Sequence, residues 1–181
     1  MRKQESGFTI IELVVVIILL GIMAATALPR FMDVTDEAHA SVVSGVQGGM
    51  LSGMALYRAQ WIAEGEAAAD SAITEFGSLR VNASGYPYGT VDNSGGTSTV
   101  TTVADCVAVF QNVLQTGAPS ITGVANAAAV VGNGTDFAAV VSAPNCVYYY
   151  TGSLSASGDT IPTLTYTSTT GDVAQATATL P

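Results

Sequence analysis

From Phe8 to Leu28 the chain is apolar for 21 residues, interrupted only by Glu12, two threonines and one glycine. A helix of that length is roughly 30 Å long, the thickness of a bilayer's hydrocarbon core, so the pattern predicts a membrane-spanning helix. Pro29 removes one backbone donor and clashes with the carbonyl four residues back, so this helix is expected to kink or loosen between Gly21 and Pro29 rather than stop. A helical period then resumes and runs to about Ala63. Projected at roughly 100° per residue, one face collects Phe31, Ala38, Val42, Val46, Met50, Met54, Tyr57 and Trp61 and is expected to meet a core. The opposite face collects Ser41, Ser44, Gly48, Ser52, Ala55 and Ala59, beside a row of Gly45, Gly49 and Gly53. A glycine inside a helix costs about 1 kcal/mol relative to alanine, so these residues call for a close approach by another element. Either the small face receives other copies of the chain, or both faces pack within one domain.

From Glu64 the pattern changes to short runs rich in Ala, Gly, Ser, Thr and Val, which read as loops and strands. Val103, Val107, Phe110 and Leu114 stand at helical spacing and predict a short helix over 103–115, closed by Gly117 and Pro119. Gly85-Tyr86-Pro87-Tyr88-Gly89 and Asp92-Asn93-Ser94-Gly95-Gly96 read as turns. Val140 with Val141, Val147 to Tyr150, and Leu164 to Thr167 read as strands, and Thr170-Gly171-Asp172 turns the chain so that Val173 to Thr179 returns as a hairpin partner. The expected fold is α+β, a long N-terminal helix packed on a small antiparallel sheet of three or four strands. The expected segments are a leader at 1–7, a membrane-spanning half-helix at 8–28, an amphipathic half-helix at 29–63 and a globular head at 64–181.

Composition narrows the chemistry. A chain of 181 residues that is 49% hydrophobic is too apolar for disorder and suits one domain with an appendage. Its net charge of −9, with only five Lys and Arg, leaves nothing to neutralise a phosphate backbone, so no nucleic-acid partner is expected. One histidine and two cysteines cannot build a four-ligand zinc site from nitrogen and sulfur, and Asp92 with Asn93 lacks the rest of an EF-hand loop, so no metal or cofactor is expected. His39 lies near the apolar stripe with nothing to complete a catalytic triad and reads as structural; the chain is not expected to be an enzyme. Asn82-Ala-Ser84 and Asn133-Gly-Thr135 are formal glycosylation sequons that read as solvated loops. For a chain exported from the cytoplasm, Cys106 and Cys146 are expected to pair, closing a loop of about 40 residues, and without a CxxC spacing they are not expected to be redox-active.

Export itself offers two routes. Arg2 and Lys3 before the apolar stretch place the leader on the cytoplasmic side. Cleavage after Ala25-Thr26-Ala27 would use the stretch as a signal and release a soluble periplasmic domain. Cleavage between Gly7 and Phe8 would keep the helix, and with it Glu12, a carboxylate that costs on the order of 2.5–3.5 kcal/mol at a membrane centre. The new α-amino group at Phe8 would lie one turn from Glu12 and could neutralise it, either in the same chain or in a neighbour. A neighbour's amine would make Glu12 the residue that sets register in an assembly.

The run Gly7-Phe8-Thr9-Ile10-Ile11-Glu12-Leu13-Val14-Val15-Val16-Ile17, followed by Gly21 and Pro29, resembles the class III leader and N-terminal helix of type IV pilins and of the related type II secretion pseudopilins. The resemblance covers about the first thirty residues. It implies cleavage after Gly7 and N-methylation of Phe8 by a prepilin peptidase, Glu12 as the assembly glutamate, and Pro29 as the kinking proline, with Gly21 to Leu28 losing helical order on packing. It also implies a subunit held in the inner membrane of a Gram-negative cell, then extracted by pilus assembly machinery into a homo-oligomeric helical filament on the cell surface. Cys146-Val-Tyr-Tyr-Tyr, Pro162-Thr-Leu-Thr-Tyr, Thr170-Gly171-Asp172-Val173 and Pro29-Arg30-Phe31 look most like the mannose-sensitive haemagglutinin class of pilins. The expected function is therefore a structural pilus subunit serving surface attachment, with a type II secretion pseudopilin or a minor pilin as the alternatives.

Overall fold

The computed structural model describes residues 8–90 and 98–181, leaving out the side chains of residues 30–36. The leader, including Gly7, and the Asp92-Asn93 turn lie outside the described residues, as does the side chain of Phe31. The chain divides after Ala38 into two compact units. Helix α1, Ile10–Ala63, contributes to both and contains Pro29 in its interior.

The unit from His39 onward is an α+β fold. The C-terminal part of α1 is followed by three short antiparallel strands, β1 (Ala72–Ile73), β2 (Leu79–Val81) and β3 (Pro87–Gly89). Helix α2 (Val103–Leu114) leads into a sheet of five strands in sequence order. These are β4 (Ile121–Gly123), β5 (Phe137–Ser142), β6 (Asn145–Tyr150), β7 (Thr160–Thr167) and β8 (Asp172–Thr179). β4 runs parallel to β5 and the remaining pairs are antiparallel. The sheet thus has one more strand than the upper expectation, and the three-stranded sheet is additional. Gly85 to Gly89 is not simply a turn: Gly85 turns at φ +83° with the Trp61 ring against it, and Pro87 to Gly89 then enters β3.

The core lies between α1, α2 and one face of the larger sheet. Strand β6 alternates, sending Cys146, Tyr148 and Tyr150 inward, as expected for a half-buried strand. Phe110 of α2 meets Phe137 and Tyr148 with ring centroids 5.3 and 5.0 Å apart, within the range of favourable tilted aromatic pairs. The buried tyrosines find backbone carbonyls for their hydroxyls: Tyr57 donates to Leu79, Tyr148 to Cys106 and Tyr166 to Pro87, at 3.0, 2.9 and 2.6 Å. The opposite face of the sheet carries a smaller cluster of Val130, Ala138, Ile161 and Leu180.

The buried stripe of α1 is Val43, Val46, Met50, Met54 and Tyr57, rotated from the expected one. Ala38 and Val42 are exposed, while Val43 is buried in their place. On α2 the difference is larger. Its buried face is Asp105, Cys106, Val109, Phe110 and Val113, whereas Val103, Val107 and Leu114 are only half-buried. The helix is packed on more than one side, so apolar spacing alone does not single out its deepest face.

Candidate assembly site

The N-terminal stretch has the physical features of a helix made to be covered by something else. Ile10–Pro29 is long and apolar enough to cross a membrane. Its large side chains are exposed throughout, from Phe8 at 78% to Leu28 at 65%. In water such a surface is costly, so its natural surroundings are lipid or other apolar helices.

Thr9 and Glu12 begin this helix. The backbone N–H and the hydroxyl of Thr9 donate to Glu12 Oε2 at 3.0 and 2.7 Å, and the Glu12 N–H donates to Thr9 Oγ1 at 3.3 Å. This reciprocal pattern is a capping box, which occupies backbone donors that the first helical turn leaves without partners. Its signature, Thr-x-x-Glu before an apolar run, was readable in the sequence. Glu12 therefore has a local role within a single chain.

Gly21 and Pro29 both lie within helical residues, and α1 is unbroken between them. A Cβ on Gly21 would meet nothing within 4 Å. Thr26 Oγ1 donates to the carbonyls of Ile22 and Met23 at 3.3 and 3.0 Å, a back-bond that weakens and bends helices slightly.

In the unit from His39 onward, the glycines separate into two groups. A Cβ on Gly53 would lie 2.5 Å from Val113 Cγ1 and 2.6 Å from the Val113 carbonyl oxygen, and one on Gly49 would lie 2.9 Å from Leu114 Cδ2. These two glycines let α2 approach α1. Gly45 and Gly48 would meet nothing within 4 Å. Ser41, Ser44, Gly48, Ser52, Ala55 and Ala59 are exposed, so the small face lies outside the core of its own domain, although Ser44 Oγ accepts a 3.2 Å hydrogen bond from Gln175 Nε2 of β8.

Cys106 and Cys146 form a disulfide with a Cα–Cα distance of 5.4 Å, joining α2 to β6. His39 Nδ1 lies 2.9 Å from the Tyr150 hydroxyl, with the rings 5.5 Å apart, a structural contact. Asn82 is buried, its amide donating to the Ser168 carbonyl while its Oδ1 accepts the N–H groups of Ser84 and Tyr86. This asparagine organises a turn rather than presenting a free sequon. Asn133 is likewise engaged, with Val130 and Thr135. Hydrogen bonds from Tyr88 and Ser98 hold the Asp70 carboxyl below the usual carboxylate range. Among the described residues, no group of three or more His, Cys, Asp or Glu is placed to hold a metal ion.

Comparison with known proteins bears on the N-terminal segment. The family described as "Prokaryotic N-terminal methylation motif" matches residues 2–28. The chain is 39% identical over 57 residues to the type II secretion system core protein G of Pseudomonas aeruginosa, covering 32% of this chain and 40% of that one. It is 40% identical over 57 residues to the type IV narrow pilus major component PilA5 of Thermus thermophilus, covering 32% of this chain and 49% of that one. Over 41 residues it is 49% identical to the type IV major pilin protein PilE1 of Neisseria gonorrhoeae, covering 23% of this chain and 25% of that one. The match thus spans less than half the length of each of these relatives. No solved structure matches. Over its N-terminal segment the chain is type IV pilin-like, carrying the methylation motif shared with proteins named for type IV pili and for type II secretion.

Proposed function

We propose that the chain is a structural subunit of a type IV pilus and not an enzyme. The segment Phe8 to Leu28 holds it in the inner membrane before assembly. A prepilin peptidase cuts after Gly7 and methylates Phe8, and pilus machinery packs the mature chain into a homo-oligomeric helical filament that serves surface attachment. Residues 8–28 then form the filament core, residues 29–63 link core to head, and residues 64–181 form most of the exposed head. Within this class the C-terminal third most resembles mannose-sensitive haemagglutinin pilins.

The observation that carries this reading is the uncovered apolar helix, which is capped by Thr9 and Glu12 immediately after the Gly7-Phe8 junction. A signal peptide that is cut off needs an apolar stretch too, but has no use for the Glu12 carboxylate that caps this one. The test is the intact mass and N-terminal fragment spectrum of protein sheared from the cell surface. N-methylated Phe8 as the terminus, abundant in sheared filaments, is the expected result, and a terminus at Leu28 overturns the reading.

A second reading, a type II secretion pseudopilin, is favoured by the similarity to core protein G. It predicts that deleting the gene blocks release of a secreted substrate while surface filaments persist. The pilus reading predicts the reverse.

A further inference from the structure

Of the asparagines in the chain, only Asn133 is followed by glycine. An asparagine carboxamide carbon can close a small ring with the next backbone nitrogen, and a glycine there adds no Cβ to hinder the approach. The structure arranges the rest of such a reaction around this pair. Asn133 Oδ1 accepts the N–H of Thr135 at 2.9 Å, an Asx-turn that folds the carboxamide back over the peptide between them. Gly132 and Gly134, at φ +79° and +73°, turn the chain on either side. Both are exposed, and a Cβ on Gly134 would meet nothing within 4 Å, so water reaches this peptide from outside.

Two donors address Oδ1, where negative charge gathers when a nucleophile attacks an amide carbon. One is the Thr135 N–H. The other is the Thr135 hydroxyl, whose one hydrogen is within reach of both Asn133 Oδ1 and the Phe137 carbonyl, each at 2.8 Å. In the resting turn these two acceptors compete for it. As Oδ1 becomes an oxyanion it becomes the stronger acceptor, so this bond tightens in the transition state and lowers the barrier. Asn133 Nδ2 donates to the Val130 carbonyl at 2.9 Å. The residue also lines an open hollow of about 320 Å³, through which a departing nitrogen reaches solvent.

We propose that Asn133 is a self-modifying site, which deamidates through a cyclic imide formed with Gly134 and is aided by Thr135. Hydroxide takes the proton of the Gly134 N–H, and the nitrogen bonds to Asn133 Cγ. The Cγ–Nδ2 bond then breaks as Nδ2 takes a proton from water and leaves as ammonia. A second water adds to either imide carbonyl and opens the ring at its C–N bond, leaving an aspartyl or isoaspartyl residue at position 133. Nothing is oxidised or reduced, and water with its hydroxide is the only co-reactant. In the aspartyl product a carboxylate oxygen replaces the N–H donor that stood 2.9 Å from the Val130 carbonyl, so the bond that closes this turn becomes a repulsion. Val130 is fully buried against Ala138, Ile161 and Leu180, and the turn that carries it loosens. The change is one-way and needs no enzyme, so it accumulates with the age of a copy and, in a filament, marks old subunits against new.

The test holds the folded full chain in detergent at mildly alkaline pH and follows each asparagine-containing peptide by mass spectrometry, with the chain in guanidinium chloride as the unfolded reference. The Asn133 peptide should gain about 1 Da, the exchange of an amide for an acid. It should do so more than about tenfold faster than the peptides of Asn82, Asn112, Asn126 and Asn145, and no slower folded than unfolded. Because hydroxide takes the first proton, the rate should rise about tenfold per pH unit. Thr135→Val should slow the folded chain about tenfold and leave the unfolded rate unchanged, whereas Thr135→Ser should keep the wild-type rate. Asn133 that stays intact in the folded chain while converting in the unfolded one overturns the site. A folded Thr135→Val that converts as fast as wild type overturns the part given to Thr135. If Thr135→Val loses the far-ultraviolet circular dichroism of the wild type, the folded and unfolded rates of the wild type decide alone.

Discussion

Tyr57, Tyr148 and Tyr166 each carry a hydroxyl into the core and give it to a backbone carbonyl. Burial is the largest cause pushing all three phenols up from their usual pKa, so they remain protonated donors where an exposed tyrosine ionises. In the unfolded chain they titrate near pH 10. A raised folded pKa means that the folded state holds these protons longer, so this contribution is complete below about pH 10 and is lost as pH rises beyond it. In an alkaline titration, tyrosinate absorbance from three of the seven tyrosines should appear only together with loss of the far-ultraviolet circular dichroism signal. A gradual, complete titration with the fold intact would contradict this. Glycine gives a second prediction at the same scale. Gly53→Ala drives a Cβ against the backbone of Val113, an overpacking that costs about 1–3 kcal/mol and outweighs the gain in helix propensity. Gly45→Ala enters open space and should stabilise by about 0.5–1 kcal/mol. The midpoints of denaturant unfolding should therefore move in opposite directions, although the sequence places both glycines in one row.

Helix α2 shows how an element is held from several sides. Thr102 and Asp105 form a capping box at its start, with Asp105 Oδ2 accepting from the N–H and hydroxyl of Thr102 at 2.9 and 2.8 Å. Val113 and Leu114 meet the glycines of α1, and Cys106 ties the helix to β6. Both cysteines are fully buried, so reductant reaches them only as the head opens. Replacing both with alanine should lower stability by about 4 kcal/mol, from the chain entropy regained by a 40-residue loop, which a guanidinium titration would measure. A shift below about 1 kcal/mol would mean that the unfolded chain is already constrained. The existence of α2 was legible because its apolar residues recur at helical spacing, but its buried face was not. Val103 and Val107 look as apolar as Val109 and Val113, and only the glycines and the disulfide decide which pair lies deeper. The strands β1, β2 and β3 were missed for a related reason: with two or three residues each, they are too short to show an alternation.

For the whole molecule, the question is what Glu12 does once many copies meet. Glutamine can still serve in a capping box, so Glu12→Gln preserves the local contact with Thr9 while removing the charge, and Glu12→Ala removes both. If the charge sets register between copies, Glu12→Gln should leave the helicity of the detergent-solubilised chain unchanged and reduce filament yield at the cell surface about as severely as Glu12→Ala does. Normal filaments from Glu12→Gln would leave the glutamate as a helix cap and nothing more. The apolar run, the long helix, the α+β class and the pairing of Cys106 with Cys146 all follow from the order of residues along the chain. Hydrophobic length, periodicity and a cysteine count restricted to two are local or combinatorial properties, and no partner is needed to read them. The division of the glycine row, the rotation of both buried helix faces and the burial of Asn82 were decided only by the tertiary structure. Each depends on which distant segment arrives at a given surface, and the sequence around Gly53 carries no mark of Val113 sixty residues away.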